Sequence, residues 1–339
     1  MDLIRACLAL AYDGTSVDNK KWPMNNDSII ARAGFALFCV TLSLVSIGLN
    51  ASAAEKIVIG FSQATMNSTW RVAMVEGNKK YAAEHYPDVE LAITDGENEA
   101  SKQVSDVKSL MARGIKVLII SPVQAEPLTP VVNEVMQANI PVVTLDREVN
   151  TKVTCRIGAQ NRPIGVDAGE FIIEKLNGTG NVIEIEGTVD ASATTDRHEG
   201  FRDALREAPR IRVVADQFCD YLREPAMKFV EETLKRFGPG QIQAIYAHDD
   251  AMALGAVQVV EEAGRLKEIA IVGIDGENSA FEAIKEGKLA ATFTYPFCAP
   301  EGIQYAYNLA IGEQVPDQII LKSTRVDASN VDQYLGKGF

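Results

Sequence analysis

The chain has 339 residues, 47% hydrophobic and 23% charged, with 33 basic and 46 acidic side chains and a formal charge of −13. That length allows two domains of ordinary size, and that balance belongs to a soluble globular protein. The negative field repels phosphate backbones and anionic lipid, which argues against nucleic acid as a partner.

Residues 1–54 read as an N-terminal extension and signal peptide. The stretch 33–49 (AGFALFCVTLSLVSIGL) carries no charge, Arg32 precedes it, and Ala51-Ser52-Ala53-Ala54 follows. A positive flank, a short apolar core and small residues at the exit predict secretion, with cleavage near Ala53 or Ala54. An uncleaved anchor is the weaker alternative, because the core is just under bilayer-spanning length. Cys39 is not a lipoprotein cysteine, since Phe38 stands where a small residue is needed. Met24 is an alternative start that would give a signal of ordinary size. After cleavage the cysteines are Cys155, Cys219 and Cys298. Their odd number and wide spacing make neither a disulfide framework nor a zinc site. They read as small buried hydrophobes, or as one disulfide and a free thiol in an oxidising compartment.

From Lys56 onward one pattern repeats: an apolar β-branched run, a turn, an amphipathic stretch, then glycine or asparagine. The runs fall at 57–63, 89–95, 116–122, 141–146, 153–159, 181–187, 211–217, 244–250, 269–275 and 289–295. Nearly continuous apolar runs are strands covered on both faces of a parallel sheet. Between them, Leu128, Val131, Val132, Val135 and Met136 fit the helical template and leave Asn133, Glu134 and Gln137 for solvent. Gly114, Asn139, Gly178, Gly264 and Gly287 sit where helices end in a left-handed residue. Such βα alternation predicts an α/β fold with doubly wound parallel sheets, and ten strands predict two sheets in two lobes.

Open parallel sheets bind ligands beyond the carboxyl ends of their strands, where strand order reverses. The polar and aromatic residues hardest to explain otherwise lie at those ends. Asn67, Thr69, Trp70 and Arg71 follow the first run, Asp146 and Arg147 the fourth, and Asn161 the fifth. Asp196 and Arg197 lie past the sixth, and Tyr221 follows the seventh. Asp249 and Asp250 close the eighth, and Asp275 the ninth. Singly, each has a plainer reading as a surface ion pair, a core aromatic or a helix cap. Their shared address favours one site. A sugar presents hydroxyls that both donate and accept, plus an apolar C–H face. Carboxylates, Arg, Asn and an aromatic ring answer those features. Each charge-assisted hydrogen bond contributes roughly 1.5–3 kcal/mol.

At these residues the chain resembles the periplasmic sugar-binding proteins of ABC transporters, the group with the ribose- and galactose-binding proteins. Within it, the chain is most similar to galactofuranose-binding proteins. The likeness covers 56–339 and rests on SQATMNSTWR (62–71), IPVVTLDR (140–147), GTVDASATTDRHEGF (187–201), CDYLREPA (219–226), YAHDDAMALGA (246–256) and VGIDG (272–276). It implies a type I binding-protein fold: two lobes joined by a multi-strand hinge, with 55–160 plus 297–318 in lobe one and 161–296 plus 319–339 in lobe two. It implies a periplasmic protein, monomeric and without cofactor, that captures a monosaccharide by hinge closure and delivers it to an inner-membrane ABC permease. The implied ligand residues are Asn67, Thr69, Trp70, Arg71, Asp146 and Arg147 from the first lobe. Asn161, Arg197, Tyr221, Asp249 and Asp275 face them from the second, with Tyr221 as the stacking aromatic and Tyr295 in the hinge beside Thr294. The chain departs from the family pattern at Asp249, usually Asn, at Gln160, often Asp, and at Tyr295, often a smaller amide or acid.

Other roles meet obstacles in the sequence. A repressor of the lactose-operon type needs a DNA-reading helix-turn-helix ahead of the sensor, where this chain has its export signal. An enzyme is not expected, because no glycine-rich phosphate loop follows the first strand and no nucleophile has a matched base. The available histidines are His85, His198 and His248. His248-Asp249-Asp250 mimics a metal cluster, but neighbouring residues of a strand splay to opposite faces, so no metal is assigned. A sensor that presents a sugar or autoinducer to a chemoreceptor keeps the same fold and stays open as the alternative.

Overall fold

The apolar runs become strands of two six-stranded sheets in the computed structural model, which describes Lys56–Phe339. The expected signal peptide and its cleavage site lie outside the described residues. Strands β1 (Ile57–Gln63), β2 (Val89–Asp95), β3 (Val117–Ile120), β4 (Val142–Leu145) and β5 (Cys155–Gly158) come first in the chain. Next come β6 (Gly180–Glu186), β7 (Ile211–Phe218), β8 (Ala244–Ala247), β9 (Ala270–Asp275) and β10 (Ala291–Thr294). Two short strands, β11 (Gln318–Ile320) and β12 (Arg325–Asp327), complete the set.

The first sheet has the order β11-β5-β4-β3-β1-β2 and the second β12-β10-β9-β8-β6-β7. All pairings are parallel except β10 with β12. Strand order therefore reverses between β1 and β3 in one sheet and between β6 and β8 in the other. Each reversal opens a crevice at the carboxyl ends of the strands.

The helices are α1 (Thr69–His85), α2 (Ala100–Ala112), α3 (Ala125–Gln137), α4 (Asn161–Lys175) and α5 (Ser192–Arg206). They continue with α6 (Arg223–Arg236), α7 (Asp250–Glu262), α8 (Asn278–Lys285) and α9 (Glu301–Ala310). In α3 the periodic residues Leu128, Val131, Val132 and Val135 are buried against the first sheet's core. The expected helix stops Gly114, Asn139, Gly178, Gly264 and Gly287 all take left-handed φ, between 59° and 77°.

The chain passes between the sheets three times, at 159–160, at 295–300 and at 321–324. Pairing of β11 with β5 keeps residues to Ile320 in the first sheet, past the 318 at which the sequence reading places the return. The eighth strand also differs from expectation. It ends at Ala247 rather than running to residue 250, because Asp249 caps α7 through its side chain. Cys155, Cys219 and Cys298 are free and buried, so the disulfide alternative is not formed. Burial pushes the Cys155 thiol up to about 11 and that of Cys219 to about 12. No helix among the described residues is long and apolar enough to cross a membrane.

Candidate functional site

The two crevices face each other and enclose one cavity. It is lined by Ser68, Trp70, Arg71, Asp146, Arg147, Ala193, Arg197, Tyr221, Asp249, Asp275 and Tyr295. The cavity holds only about 30 Å³, so the lobes stand nearly shut.

In the first lobe Arg71 spans the β1/β3 reversal. Its Nη1 donates to Gln63 Oε1 at the end of β1 (2.7 Å) and to Ser121 Oγ just past β3 (3.0 Å). Its Nη2 donates to Asp146 Oδ2 at 3.2 Å. Asp146 has φ 64°, which turns its carboxylate from the end of β4 back towards the cavity. Arg147, 2% exposed, is anchored through Nη1 to the Val123 carbonyl at 2.8 Å. Burial and the neighbouring Arg71 lower its pKa to about 10, which leaves it charged at neutral pH. Trp70 donates its indole N–H to the Tyr295 carbonyl at 2.9 Å, which ties the first lobe's aromatic to the hinge.

In the second lobe Arg197 is the centre. Its Nε donates to Asn161 Oδ1 at 2.8 Å, and its Nη1 donates to the His248 carbonyl beyond β8. The guanidinium lies over the Tyr295 ring, 4.6 Å from its centroid, and 5.9 Å from that of Tyr221. Close packing of α4 on α5 holds Asn161 and Arg197 together. A Cβ at Gly165 would stand 2.3 Å from the Arg197 carbonyl oxygen, and one at Gly200 would stand 2.1 Å from that of Arg162. Gly187 does the same for Tyr221, whose Cζ would lie 2.1 Å from a Cβ there. The Tyr221 hydroxyl shares a 2.8 Å hydrogen bond with Thr194 Oγ1, and the Arg147 guanidinium lies 5.3 Å from its ring centroid.

Asp249 and Asp275 bring the carboxylates of this lobe. Asp249 Oδ1 accepts the Met252 N–H at 2.8 Å as the N-cap of α7. Burial raises its pKa to about 7. Asp275 has φ 135° at the end of β9, and burial raises its pKa well above the usual carboxylate range. Asp250 does not line the cavity. It accepts the Gly276 N–H (2.8 Å), the Glu277 N–H (3.0 Å) and the Thr292 hydroxyl (2.7 Å), so it fixes the loop that aims Asp275. His248, Asp249 and Asp250 thus have separate partners: Glu184, the α7 amide and this loop.

Trp70, Arg71, Asp146, Arg147, Arg197, Tyr221, Asp249, Asp275 and Tyr295 therefore share one cavity. Asn161 stands behind it, donating to the Tyr295 hydroxyl at 3.0 Å and holding Arg197. Asn67 and Thr69 are exposed and do not line it. Thr69 Oγ1 instead reaches Glu277 Oε1 of the opposite lobe at 3.3 Å. Further bonds cross between the lobes, from Ala125 N–H to the Asp190 carbonyl (3.2 Å) and from Glu148 N–H to Ser192 Oγ (2.8 Å). Ser68 and Ala193 line the cavity without having been singled out. Ser68 had a legible signal, an N-cap serine that accepts the Arg71 N–H. Ala193 had none.

Comparison with known proteins places this architecture. The family described as periplasmic binding protein domain matches residues 59–314. The chain belongs to that family. Its two lobes of mainly parallel sheets are the type I arrangement of its members. A ribose import binding protein of Haemophilus influenzae is 33% identical over 282 residues, 81% of this chain and 93% of the relative. The galactofuranose-binding protein of Escherichia coli is 34% identical over 260 residues, 74% and 81% of the two chains. Among solved structures, a galactofuranose-binding protein has 30% identity and a TM-score of 0.78, covering 83% of this chain and 98% of its own. The fructose-binding periplasmic domain of a hybrid two-component system has 33% identity and the same TM-score, covering 83% and 94%.

Proposed function

We propose that this protein is a periplasmic solute receptor that captures a monosaccharide by hinge closure and hands it to an ABC permease, without chemistry on the sugar. One observation carries the reading: side chains from both lobes converge on a single cavity that pairs three guanidiniums with three carboxylates and two tyrosine rings. Interleaved guanidiniums and carboxyl groups suit a neutral polyhydroxylated ligand. The carboxyl groups of Asp146, Asp249 and Asp275 hydrogen-bond to sugar hydroxyls, and Arg71, Arg147 and Arg197 donate to ring and hydroxyl oxygens. Tyr221 covers the apolar face. Asn161 orients Arg197, while Asn67 and Thr69 serve the rim. The relatives make galactofuranose, galactose and ribose-like sugars the first candidates.

The narrow interior supports closure as the mechanism. A ring of sugar size enters only when the lobes part, and its bonds to both lobes then shift the population to the shut form. A micromolar dissociation constant corresponds to about −8 kcal/mol, within reach of a few charge-assisted bonds and one stacked ring. A thermal-shift screen of aldoses in pyranose and furanose forms tests this. At a hundred times its dissociation constant the right sugar adds about 2.7 kcal/mol of stability. Trp70, bonded to the hinge, should change its fluorescence with the same sugar. Arg197→Ala and Asp275→Ala should each weaken binding more than roughly tenfold, the loss of about 1.4 kcal/mol. Silence across the whole panel refutes the reading. The hybrid two-component relative favours one second role, a sensor whose closed form is read by a signalling partner. Uptake of the identified sugar by cells lacking the protein separates the two.

A further inference from the structure

Outside the cavity, the second lobe holds a polar cluster that sugar binding does not use. Glu184 and Glu186 lie two residues apart on β6 and so point to one face of the sheet. Helix α5 covers that face and brings down His198 and Arg202, one turn apart. Tyr246 of β8 pairs across from Glu184, and His248 follows it. Glu184, Tyr246 and His248 are fully buried, and Glu186 is 5% exposed.

Glu184 is well supplied with partners, its Oε1 sharing hydrogen bonds with His198 Nδ1 (3.1 Å) and His248 Nε2 (3.2 Å). Glu186 is not, and its buried carboxylate makes no side-chain hydrogen bond among the described residues. Glu184 Oε2, Tyr246 OH, His248 Nδ1 and Arg202 Nε are four of the eight buried side-chain polar atoms without a hydrogen-bond partner among the described residues. Native interiors rarely leave such atoms unpaired, so four of them in one place set this cluster apart from the rest of the core. Arg202 Nη2 forms an ion pair with Glu184 Oε2 at 3.2 Å, although not in hydrogen-bonding geometry. Among the described residues, the basic group recorded in ion-pair range of Glu186 is His198, at 3.5 Å.

We infer that Glu184, Glu186 and His198 form a binding site for a divalent transition cation of the zinc type. The donor atoms are already spaced for it. Metal–ligand bonds of about 2.0–2.1 Å in a tetrahedron set donors about 3.3 Å apart. His198 Nδ1 lies 3.1 Å from Glu184 Oε1, in a hydrogen bond that a metal ion would replace, and 3.5 Å from Glu186 Oε2. All three residues offer ligand atoms within 4.8 Å of one another. Two carboxylate oxygens and one imidazole nitrogen suit zinc better than the all-oxygen shells of magnesium or calcium. The side chain of His198 is 33% exposed, so the cluster meets solvent on that side. His248 Nε2, 3.2 Å from Glu184 Oε1, orients that carboxylate from behind. An ion there would pin α5 to β6, and α5 carries Arg197 next to His198.

The test does not depend on the sugar. Untagged protein stripped with EDTA is titrated with ZnCl2 by calorimetry, with MgCl2 as the control. One zinc ion per chain should bind, magnesium should give no saturable heat, and zinc should raise the melting temperature. His198→Ala and Glu186→Gln, both checked for native circular dichroism, should each weaken zinc by roughly tenfold or more. The surface position of His198 and the isosteric Glu186→Gln change make at least one folded variant available. Absence of saturable zinc binding overturns the inference. So does unchanged affinity in a folded variant, which would put the ion elsewhere.

Discussion

Replacing Gly187 by alanine adds one methyl group in the worst place for Tyr221. The new Cβ would lie 2.1 Å from Tyr221 Cζ, 2.3 Å from Cε2 and 2.5 Å from the hydroxyl. An ordinary contact begins near 3.4 Å, so the ring must move by about 1.3 Å (3.4 less 2.1). The floor at Gly187 is backbone, which leaves motion towards the cavity and the arginines. That shift breaks the 2.8 Å bond to Thr194, worth about 1 kcal/mol, and disturbs the Arg147 contact, worth about 0.5–2 kcal/mol. Overpacking costs the fold about 1–3 kcal/mol, a drop of several degrees in melting temperature. Sugar affinity should fall roughly tenfold to a hundredfold, matching about 1.5–3 kcal/mol. Calorimetry with the identified sugar and thermal melts, in a cycle with Tyr221→Ala, isolate the cause. Once Tyr221 has been truncated in this way, the added methyl should cost almost nothing, because its obstacle is gone. An equal penalty in both backgrounds would show that Gly187 does not act through the ring.

Two further predictions concern the site. Gly165→Ala should force α4 away from α5, since its Cβ would stand 2.3 Å from the Arg197 carbonyl; parting Asn161 from Arg197 should lower both stability, by about 1–3 kcal/mol, and sugar affinity, and an unchanged melt refutes the packing argument. Asp249, with its pKa raised to about 7, should make sugar affinity pH-dependent. A hydroxyl donating to the carboxylate binds best above pH 7 and progressively worse below it, and Asp249→Asn should flatten that slope in calorimetry; parallel profiles refute it. The unliganded fold has the opposite trend. Raised values at Asp249 and Asp250 contribute stability that is full below the ordinary carboxylate pKa and is lost as pH rises through about 7.

Most of the scaffold was legible because its strands are long apolar runs with β-branched residues, such as IVIGFSQ and AIVGID. Strands β11 and β12 were not, for QII and RVD are three residues each, at sheet edges and half exposed, with no room for a period to show. The site was legible as an address, the carboxyl ends of strands, better than as a roster. Trp70 and Arg71 turn inward while Thr69 turns out, because α1 begins at Thr69 and each residue rotates by about 100°. Where a helix starts to the residue is what sequence gives least securely. The HDD run at 248–250 misled for a similar reason. Read as strand, its side chains alternate, whereas a strand end followed by a cap sends each to its own partner. The Glu184–Glu186–His198 cluster was hidden because its third member arrives from a helix twelve positions along, and only tertiary packing closes that distance.

Asp249 holds two posts at once. One carboxylate oxygen starts helix α7 by taking the Met252 amide, while the residue lines the cavity. A change of diet through this position is therefore confined to side chains that can also begin a helix: Asn, Ser and Thr remain open, whereas alanine or valine would forfeit about 1 kcal/mol of fold before any new ligand was met. Selectivity here drifts within a short alphabet of hydrogen-bonding residues, which keeps the hollow polar across generations whatever sugar it comes to prefer.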